Sequence, residues 1–106
     1  MVIVMVDLRV TNVLKVLPML AELKRAVMNQ KGYLSGTTMV GVEDRSLITF
    51  QTIWESASDW KAWEKSQTQI NIFRKIMPFL LEKSEVKIYR YLSYHSEPHI
   101  VDEDSE

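Results

Sequence analysis

The feature of this sequence that most restricts its fold is the apolar run near its start, Val2-Ile-Val-Met-Val6. Residues 2–10 are rich in β-branched side chains, which predicts a short β-strand. Successive side chains of a strand point to opposite faces of the sheet, so consecutive apolar residues require cover on both faces. We therefore expect a sheet with a second layer on each side.

The next segment changes to a helical period. Within residues 13–30 the apolar residues recur at spacings of three and four, and the charged residues lie elsewhere. Asn12 or Thr11 can cap the N-terminus, and Gly32 can provide the C-terminal stop. Pro18 removes a backbone hydrogen bond, so we expect a kink there or a helix whose regular part starts near it.

Two strands and a second helix follow. Residues 33–42 and 46–54 have strand character, and residues 43–45 join them as a hairpin turn. Ser56 then begins a helix, with Asp59 three residues later in a short acidic version of the capping box.

The second helical region is predicted to be split. Ser66 or Thr68 can restart the chain as a further helix, whose end is complicated by Pro78. Its apolar residues share one face: they are Ile70, Phe73, Met77 and Leu80. Residues 85–94 are predicted to form the last strand.

This order predicts an α+β fold of the ferredoxin-like βαββαβ type with a split second helix, in one domain of residues 1–94. Helices cover one sheet face in this arrangement, although the first strand is apolar on both. We therefore expect the bare face to pair with that of a second copy in a sheet-to-sheet homodimer. Residues 95–106 form an acidic tail with little to bury, and we expect it to be mobile.

Composition excludes several classes of function. The net charge of −1 gives no electrostatic reason to expect binding to nucleic acid or to an anionic membrane. The chain has no cysteine, so a disulfide framework and a thiolate metal site are excluded. His95 and His99 lie in or near the tail without clustered ligands, and we expect no metal. The start lacks the basic region of a signal peptide, which makes the cytoplasm the expected location.

Two stretches go beyond a general pattern. One is Gly32-Tyr-Leu-Ser-Gly36-Thr-Thr, and the other is Thr52-Ile-Trp-Glu-Ser56, which is followed by Trp60 and Trp63. Together they resemble features of the antibiotic biosynthesis monooxygenase domains, also called dimeric α/β barrels. The resemblance covers about residues 2–92. It implies a cofactor-independent monooxygenase of a small aromatic or quinol-like substrate, which itself reduces dioxygen.

Other members of that family degrade haem. The resemblance to them implies an axial histidine ten residues after a tryptophan, and an asparagine on the first strand. Trp63 matches the tryptophan, but Phe73 stands at the histidine position and Val6 or Asp7 at that of the asparagine. A phenyl ring cannot bind iron, so this arrangement does not support haem degradation. We expect no cofactor.

The aromatic residues are the first candidates for substrate binding. Trp60 and Trp63 could stack on a flat ligand and each offer one hydrogen-bond donor, or they could anchor their helix to the sheet. Tyr33 could place a phenol at the mouth of a pocket, or it could pack after its turn. Phe73 adds a further ring on the helix that follows.

Two polar residues complete the predicted site. The Asn71 amide could hold a ligand carbonyl or an anion derived from dioxygen, or it could be a surface or capping amide. Arg9 could steer an anionic or phenolic substrate, or it could form an ion pair at the sheet end. The sequence identifies no catalytic acid–base pair, and the alternative function is a non-catalytic dimer that binds a small ligand or has a structural role. A cavity between helices and sheet would favour the enzyme.

Overall fold

A computed structural model describes residues 1–94 and 98–100 of the chain. Four antiparallel strands form the main sheet in the order β2-β3-β1-β4. The elements are β1 (Val2–Arg9), α1 (Val13–Val27), β2 (Tyr33–Val40), β3 (Leu47–Trp54), α2 (Ala57–Glu64), α3 (Gln67–Ile76), a 3₁₀ turn (Met77–Phe79), β4 (Glu85–Arg90), β5 (Leu92–Tyr94) and β6 (Pro98–Ile100). The predicted α+β ferredoxin-like order, with its second helix split, is confirmed.

The last predicted strand is shorter than residues 85–94. β4 ends at Arg90, and residues 92–94 pair instead with residues 98–100 in a separate two-stranded sheet. The reason is the length of the neighbouring strand: Arg90 pairs with Val2, the first residue of β1, so the chain beyond it has no partner in the main sheet. Residues 95–97 and 101–106, which include His95 and most of the predicted tail, lie outside the described residues.

α1 begins immediately after its predicted cap, because the Asn12 side chain accepts a hydrogen bond from the Lys15 backbone N–H at 3.2 Å. Pro18 therefore lies inside the helix and does not mark its start. The carbonyl that loses its partner belongs to Leu14, whose side chain is 80% exposed on the outer surface of the helix. The helix ends at Val27, earlier than residue 30.

The first strand alternates between two environments. Val2, Val4 and Leu8 are fully buried against the helices, whereas Ile3 and Met5 lie on the opposite face and are only partly buried. The apolar run thus supplies both faces of the sheet, as its pattern predicts. The face opposite the helices, called the open face below, becomes more polar towards the other end of β1. Asp7 pairs there with Thr49 and Glu85, and Arg9 pairs with Leu47.

The two sequence stretches that resemble family motifs contact each other. Gly32 has a φ of +85°, a conformation that favours glycine, and its carbonyl accepts a hydrogen bond from the Glu55 N–H at 2.8 Å. A Cβ at this position would also overlap the carboxylate of Asp59. The backbone of Asp59 is fixed by the N-cap of α2, because its N–H donates a hydrogen bond to Ser56 Oγ at 3.1 Å. The turn before β2 is therefore fitted to the start of α2.

No helix in the described part of the chain is both long and apolar enough to cross a membrane.

Replacing Gly32 with alanine should destabilise the protein by about 1–3 kcal/mol, because alanine is strained at positive φ and its methyl would displace the Asp59 carboxylate. The free energy of unfolding from urea titration measures this loss. Lys31→Ala, an exposed neighbour in the same turn, is the control and should change stability by less than about 0.5 kcal/mol. Equal effects of the two substitutions would contradict the packing described for Gly32.

Candidate substrate cavity

A cavity of about 280 Å³ lies between the sheet and the helices. Its floor is one row of residues that crosses all four strands: Thr38 pairs with Phe50, Phe50 with Val6, and Val6 with Val86. All four residues line the cavity, as do Gly36 and Thr52 from the next row. Paired residues of antiparallel strands share a face, so the strand register itself brings these side chains together.

The roof of the cavity is built mainly from apolar side chains on the three helices. α2 contributes Trp60 and Trp63, which are three residues apart and therefore lie on one side of the helix. α3 contributes Gln69 and Phe73 at a spacing of four. The lining residues of α1 are Leu20, Leu23, Lys24 and Val27. The interior is thus largely apolar with a few polar groups, as ligand pockets commonly are.

The cavity divides the core of the protein. One cluster of buried residues lies around Trp54, Trp60 and Trp63, and a second lies around Leu8, Ile48 and Ile76. Val6 is only partly buried, although it is central in the sheet, and it packs against both clusters. A small domain usually has one contiguous core. The opening above Val6 is therefore what separates the two clusters.

Trp60 and Trp63 both pack and line the cavity, so the two readings of these residues offered by the sequence are compatible. Their side chains belong to the first cluster and are only 7% and 6% exposed, respectively. Trp54, the third tryptophan, donates its indole N–H to Thr52 Oγ1 at 2.9 Å. Among the described residues neither the Trp60 nor the Trp63 indole N–H has an acceptor. Buried donors without partners are rare in proteins, and here both belong to residues of the cavity wall.

Tyr33 packs at the β2 side of the cavity, with its ring edge-on to Trp54 at 5.6 Å and an interplanar angle of 81°. Burial raises the pKa of the Tyr33 phenol above its ordinary value, because the phenolate would lose hydration. The group therefore stays protonated at neutral pH and can donate a hydrogen bond into the cavity. The other ionisable lining residues are Lys24 and Glu64, both exposed, which places them at its mouth.

Phe73 lines the cavity, so the position at which the haem-degrading proteins would carry their ligand faces the cavity here as a phenyl ring. Phenylalanine has no atom that can bind iron. Within the described residues there is no group of three or more histidine, aspartate or glutamate side chains placed to hold a metal ion.

Asn71 and Arg9 lie outside this cavity. Asn71 is exposed on α3, and its Oδ1 accepts a hydrogen bond from Gln67 Nε2 at 2.7 Å. Arg9 lies on the open face of the sheet, where its Nε donates to Glu82 Oε1 at 2.8 Å and its Nη1 pairs with Asp44. The surface amide and the ion pair, which the sequence offered as alternatives, describe these two residues.

Sequence reasoning missed several residues of the cavity wall. Gln69 is one, and helical spacing could have found it, because it lies four residues before Phe73 and on the same face. Asn71 lies between them in sequence and consequently points elsewhere. Thr52 and Gly36 pair with each other across β2 and β3, which becomes apparent only once the strand register is known.

The sequence matches the family model of antibiotic biosynthesis monooxygenases over residues 1–75, and the chain belongs to this family. A search of curated proteins with the sequence found no match.

Solved structures share the fold at low sequence identity. A conserved protein from Methanosarcina mazei is 18% identical with a TM-score of 0.79, over 84% of this chain and 90% of its own. A protein described as an antibiotic biosynthesis monooxygenase is 15% identical with a TM-score of 0.81, over 88% and 100%. A variant of SnoaB, a cofactor-independent oxygenase from Streptomyces nogalater, is 10% identical with a TM-score of 0.78, over 91% and 97%.

The raised pKa of Tyr33 predicts a loss of stability in alkali. Above pH 10 the unfolded phenol ionises while the folded one keeps its proton, so the unfolded state binds fewer protons and stability falls as pH rises. Tyr33→Phe should remove this contribution. The free energies of unfolding of the two proteins, measured from pH 8 to pH 11, should therefore differ by a constant amount below pH 9, and the wild-type protein should lose stability relative to Tyr33→Phe above pH 10. Parallel curves over the whole range would contradict the burial of the phenol.

Proposed function

We propose that this chain is a cofactor-independent monooxygenase that oxidises a small aromatic or quinol-like substrate in the cavity between helices and sheet. The observation that carries the proposal is the cavity itself, a mostly apolar space with indole and phenyl rings in its roof and hydroxyl groups in its floor. Membership of the monooxygenase family supports it. So does the shared fold with SnoaB, a protein described as a cofactor-independent oxygenase.

The chemistry needs a substrate that can itself reduce dioxygen. An example is a ring-flanked CH₂ group whose tautomer is a phenol: loss of a proton gives an anion, which transfers electrons to dioxygen and forms a C–O bond. One oxygen atom becomes the product carbonyl and the other leaves as water. The chain would bind the flat ring, exclude bulk water and hold the reacting carbon in place.

Trp60 and Trp63 are proposed to contact this substrate. Each could stack on a flat ring and donate its indole N–H to a substrate oxygen or to the oxyanion that forms during the reaction. A ligand that accepts these hydrogen bonds would give both buried donors the partners they lack among the described residues. Phe73 and Tyr33 would then border the same ring from α3 and β2.

A non-catalytic protein that binds the same kind of ligand is the second candidate. The placement of the ionisable groups of the cavity wall favours this candidate, because none of them can accept a proton inside the cavity at neutral pH. Lys24 and Glu64 are exposed at the mouth, and Tyr33 is held neutral. Among the described residues the interior therefore offers no general base. Turnover would then depend on a substrate acidic enough to lose its proton without one. Haem degradation is not proposed, because Phe73 cannot bind iron.

Oxygen consumption with anthrone, which has such a CH₂ group and would yield anthraquinone and water, tests the catalytic proposal. We expect uptake above the spontaneous rate and one labelled oxygen atom in the product when ¹⁸O₂ is used. Trp63→Phe keeps the ring but removes the donor, and should lower the rate about three- to tenfold, the effect of one hydrogen bond. Asn71→Ala, outside the cavity, is the matched control and should retain the rate.

Two results would count against this function. One is the absence of uptake above the spontaneous rate with anthrone and a panel of related fused-ring phenols. The other is an equal loss of rate in Trp63→Phe and Asn71→Ala, which would show that the cavity is not where the reaction occurs.

We also propose that the working form is a homodimer that pairs the open faces of two sheets. On this face Ile3 lies between Ile53 and Tyr89 in one row of the register, and Met5 lies in the next. Tyr89 is 48% exposed in the single chain. A two-fold interface brings the same patch of both copies together, so these four apolar residues would cover each other. The small core of a 106-residue chain makes such additional burial favourable.

Placing a charge in this patch tests the dimer. Ile53→Glu should convert the protein to a monomer in analytical ultracentrifugation, because a carboxylate buried without a partner opposes association. Val42→Glu is the control, since Val42 is 91% exposed in the β2–β3 turn, and it should leave the mass unchanged. A wild-type protein that sediments as a monomer at micromolar concentration, or an Ile53→Glu protein that remains dimeric, would disprove this interface.

A further inference from the structure

The Tyr33 hydroxyl and the Thr52 methyl meet above Gly36, on the wall that β2 and β3 give to the cavity. A Cβ placed on Gly36 would lie 2.5 Å from the Tyr33 hydroxyl oxygen and 3.2 Å from Thr52 Cγ2. Tyr33, Gly36 and Thr52 all line the cavity. The missing side chain at Gly36 is thus the space in which the Tyr33 hydroxyl lies, next to Thr52. We call Tyr33 and Thr52 the hydroxyl pair.

The Thr52 hydroxyl is oriented by a buried tryptophan. Its oxygen accepts the Trp54 indole N–H at 2.9 Å, and the Trp54 side chain is fully buried. This contact occupies a lone pair and fixes the side-chain rotamer, but it leaves the hydroxyl proton to be donated. Within the described residues that proton has no acceptor. A hydroxyl that already accepts one hydrogen bond is polarised and becomes a better donor for a second.

The Tyr33 hydroxyl is available in the same way. The edge-on contact with Trp54 holds the ring, and no hydrogen bond to the hydroxyl occurs among the described residues. Because burial raises the pKa of this phenol, it remains a donor through the neutral range. Trp54 therefore positions both members of the pair, one by a hydrogen bond and the other by ring packing.

We propose that the hydroxyl pair recognises an oxygen acceptor on one edge of the ligand, so that the cavity selects fused-ring ketones, quinones or their phenol tautomers over hydrocarbons of the same shape. This selectivity rests on the proposed function only in that it uses the same cavity. The roof binds any flat apolar ring, whereas the pair binds the oxygen. The site consequently fixes which edge of the ring faces β2 and β3 and which faces the indoles of α2.

The test compares two ligands of nearly equal shape, 1,4-naphthoquinone and naphthalene, by isothermal titration calorimetry. Naphthoquinone has carbonyl acceptors and no donor, and the chain has no cysteine thiol with which a quinone would react. We expect the wild-type protein to bind naphthoquinone more tightly. Tyr33→Phe should weaken naphthoquinone binding roughly three- to tenfold, the effect of one neutral hydrogen bond, and leave naphthalene binding unchanged.

Thr52 is tested with a pair of substitutions. Thr52→Ser keeps a hydroxyl that can accept from Trp54 and donate to the ligand, so it should preserve the preference for naphthoquinone. Thr52→Val has almost the same shape but removes the hydroxyl, and should reduce the preference three- to tenfold. It also leaves the buried Trp54 N–H without a partner. If Thr52→Val does not fold, the Tyr33→Phe and Thr52→Ser results decide the question.

Gly36→Ala provides a readout that a general packing defect would not give. Its methyl would displace the Tyr33 hydroxyl, so it should reduce naphthoquinone affinity in the wild-type background. In the Tyr33→Phe background the displaced hydroxyl is absent, and the same substitution should have a smaller effect, limited to its 3.2 Å contact with Thr52 Cγ2. This non-additivity identifies Gly36 as a positioning residue for Tyr33.

The proposal is overturned if naphthoquinone does not bind, if both ligands bind with the same affinity, or if Tyr33→Phe weakens both equally. These outcomes are separable from failure of the oxygenase proposal. Preference for naphthoquinone without oxygen consumption on anthrone would support the role of the hydroxyl pair and contradict the catalytic role. Oxidation of anthrone without a preference for naphthoquinone would support the catalytic role and contradict the role of the hydroxyl pair.

Discussion

The central constraint in this structure is the gap that the three helices leave over the middle of the sheet. Val6 occupies the centre of β1, yet it is less buried than Val4 and Leu8 on the same face of the strand. The clusters on either side of it are held apart, and the cavity fills the interval. Packing Val6 as tightly as its neighbours would give a single core and leave no room for a ligand. The function proposed for this chain therefore depends on an incomplete core.

Other features compensate for this opening. Large side chains concentrate at its borders, with Trp54 fully buried on one side and Ile76 on the other. The turn at Gly32 is fitted against Asp59, which ties β2 to α2 next to the cavity. A ligand that binds only the folded chain would add stability that grows with the logarithm of its concentration relative to its dissociation constant. The two sequence stretches typical of the family thus support the walls of the cavity, and they also supply Tyr33, Gly36 and Thr52 to its lining.

Features determined by neighbouring residues could be predicted from the sequence. The caps at Asn12, Ser56 and Ser66 depend on side chains three residues or fewer away, and each accepts the expected backbone N–H. The element order followed from hydrophobic periodicity. The end of β4 could not be predicted, because it is set by where its partner β1 begins. Arg90, the last residue of β4, pairs with Val2, which lies 88 residues earlier in the sequence. Pro18 leaves two outcomes open in the sequence, a kink or a later start of the regular helix, and the Asn12 cap explains why α1 begins before it.

The residues of the site likewise fall into those that the sequence predicts and those that it does not. The sequence predicts four aromatic side chains at the site, and all four line the cavity: Trp60, Trp63, Tyr33 and Phe73. The amide chemistry of Asn71 suits a binding site, but its position on α3 points it away from the cavity, and Gln69 faces the cavity instead. The sequence does not predict the hydroxyl pair, because the Tyr33 hydroxyl and the Thr52 methyl come together only over Gly36 in the folded sheet.

The proposed function requires the cavity to bind a ligand, and the side-chain N–H signals of the protein test this most directly. The chain has three tryptophans, so its ¹H–¹⁵N spectrum contains three indole signals. On titration with 1,4-naphthoquinone, we expect the indole signals of Trp60 and Trp63 to move with a common dissociation constant while the side-chain amide signal of Asn71 stays in place. Indole signals that stay fixed at saturating ligand, or that move no more than the Asn71 amide, would contradict the proposed function.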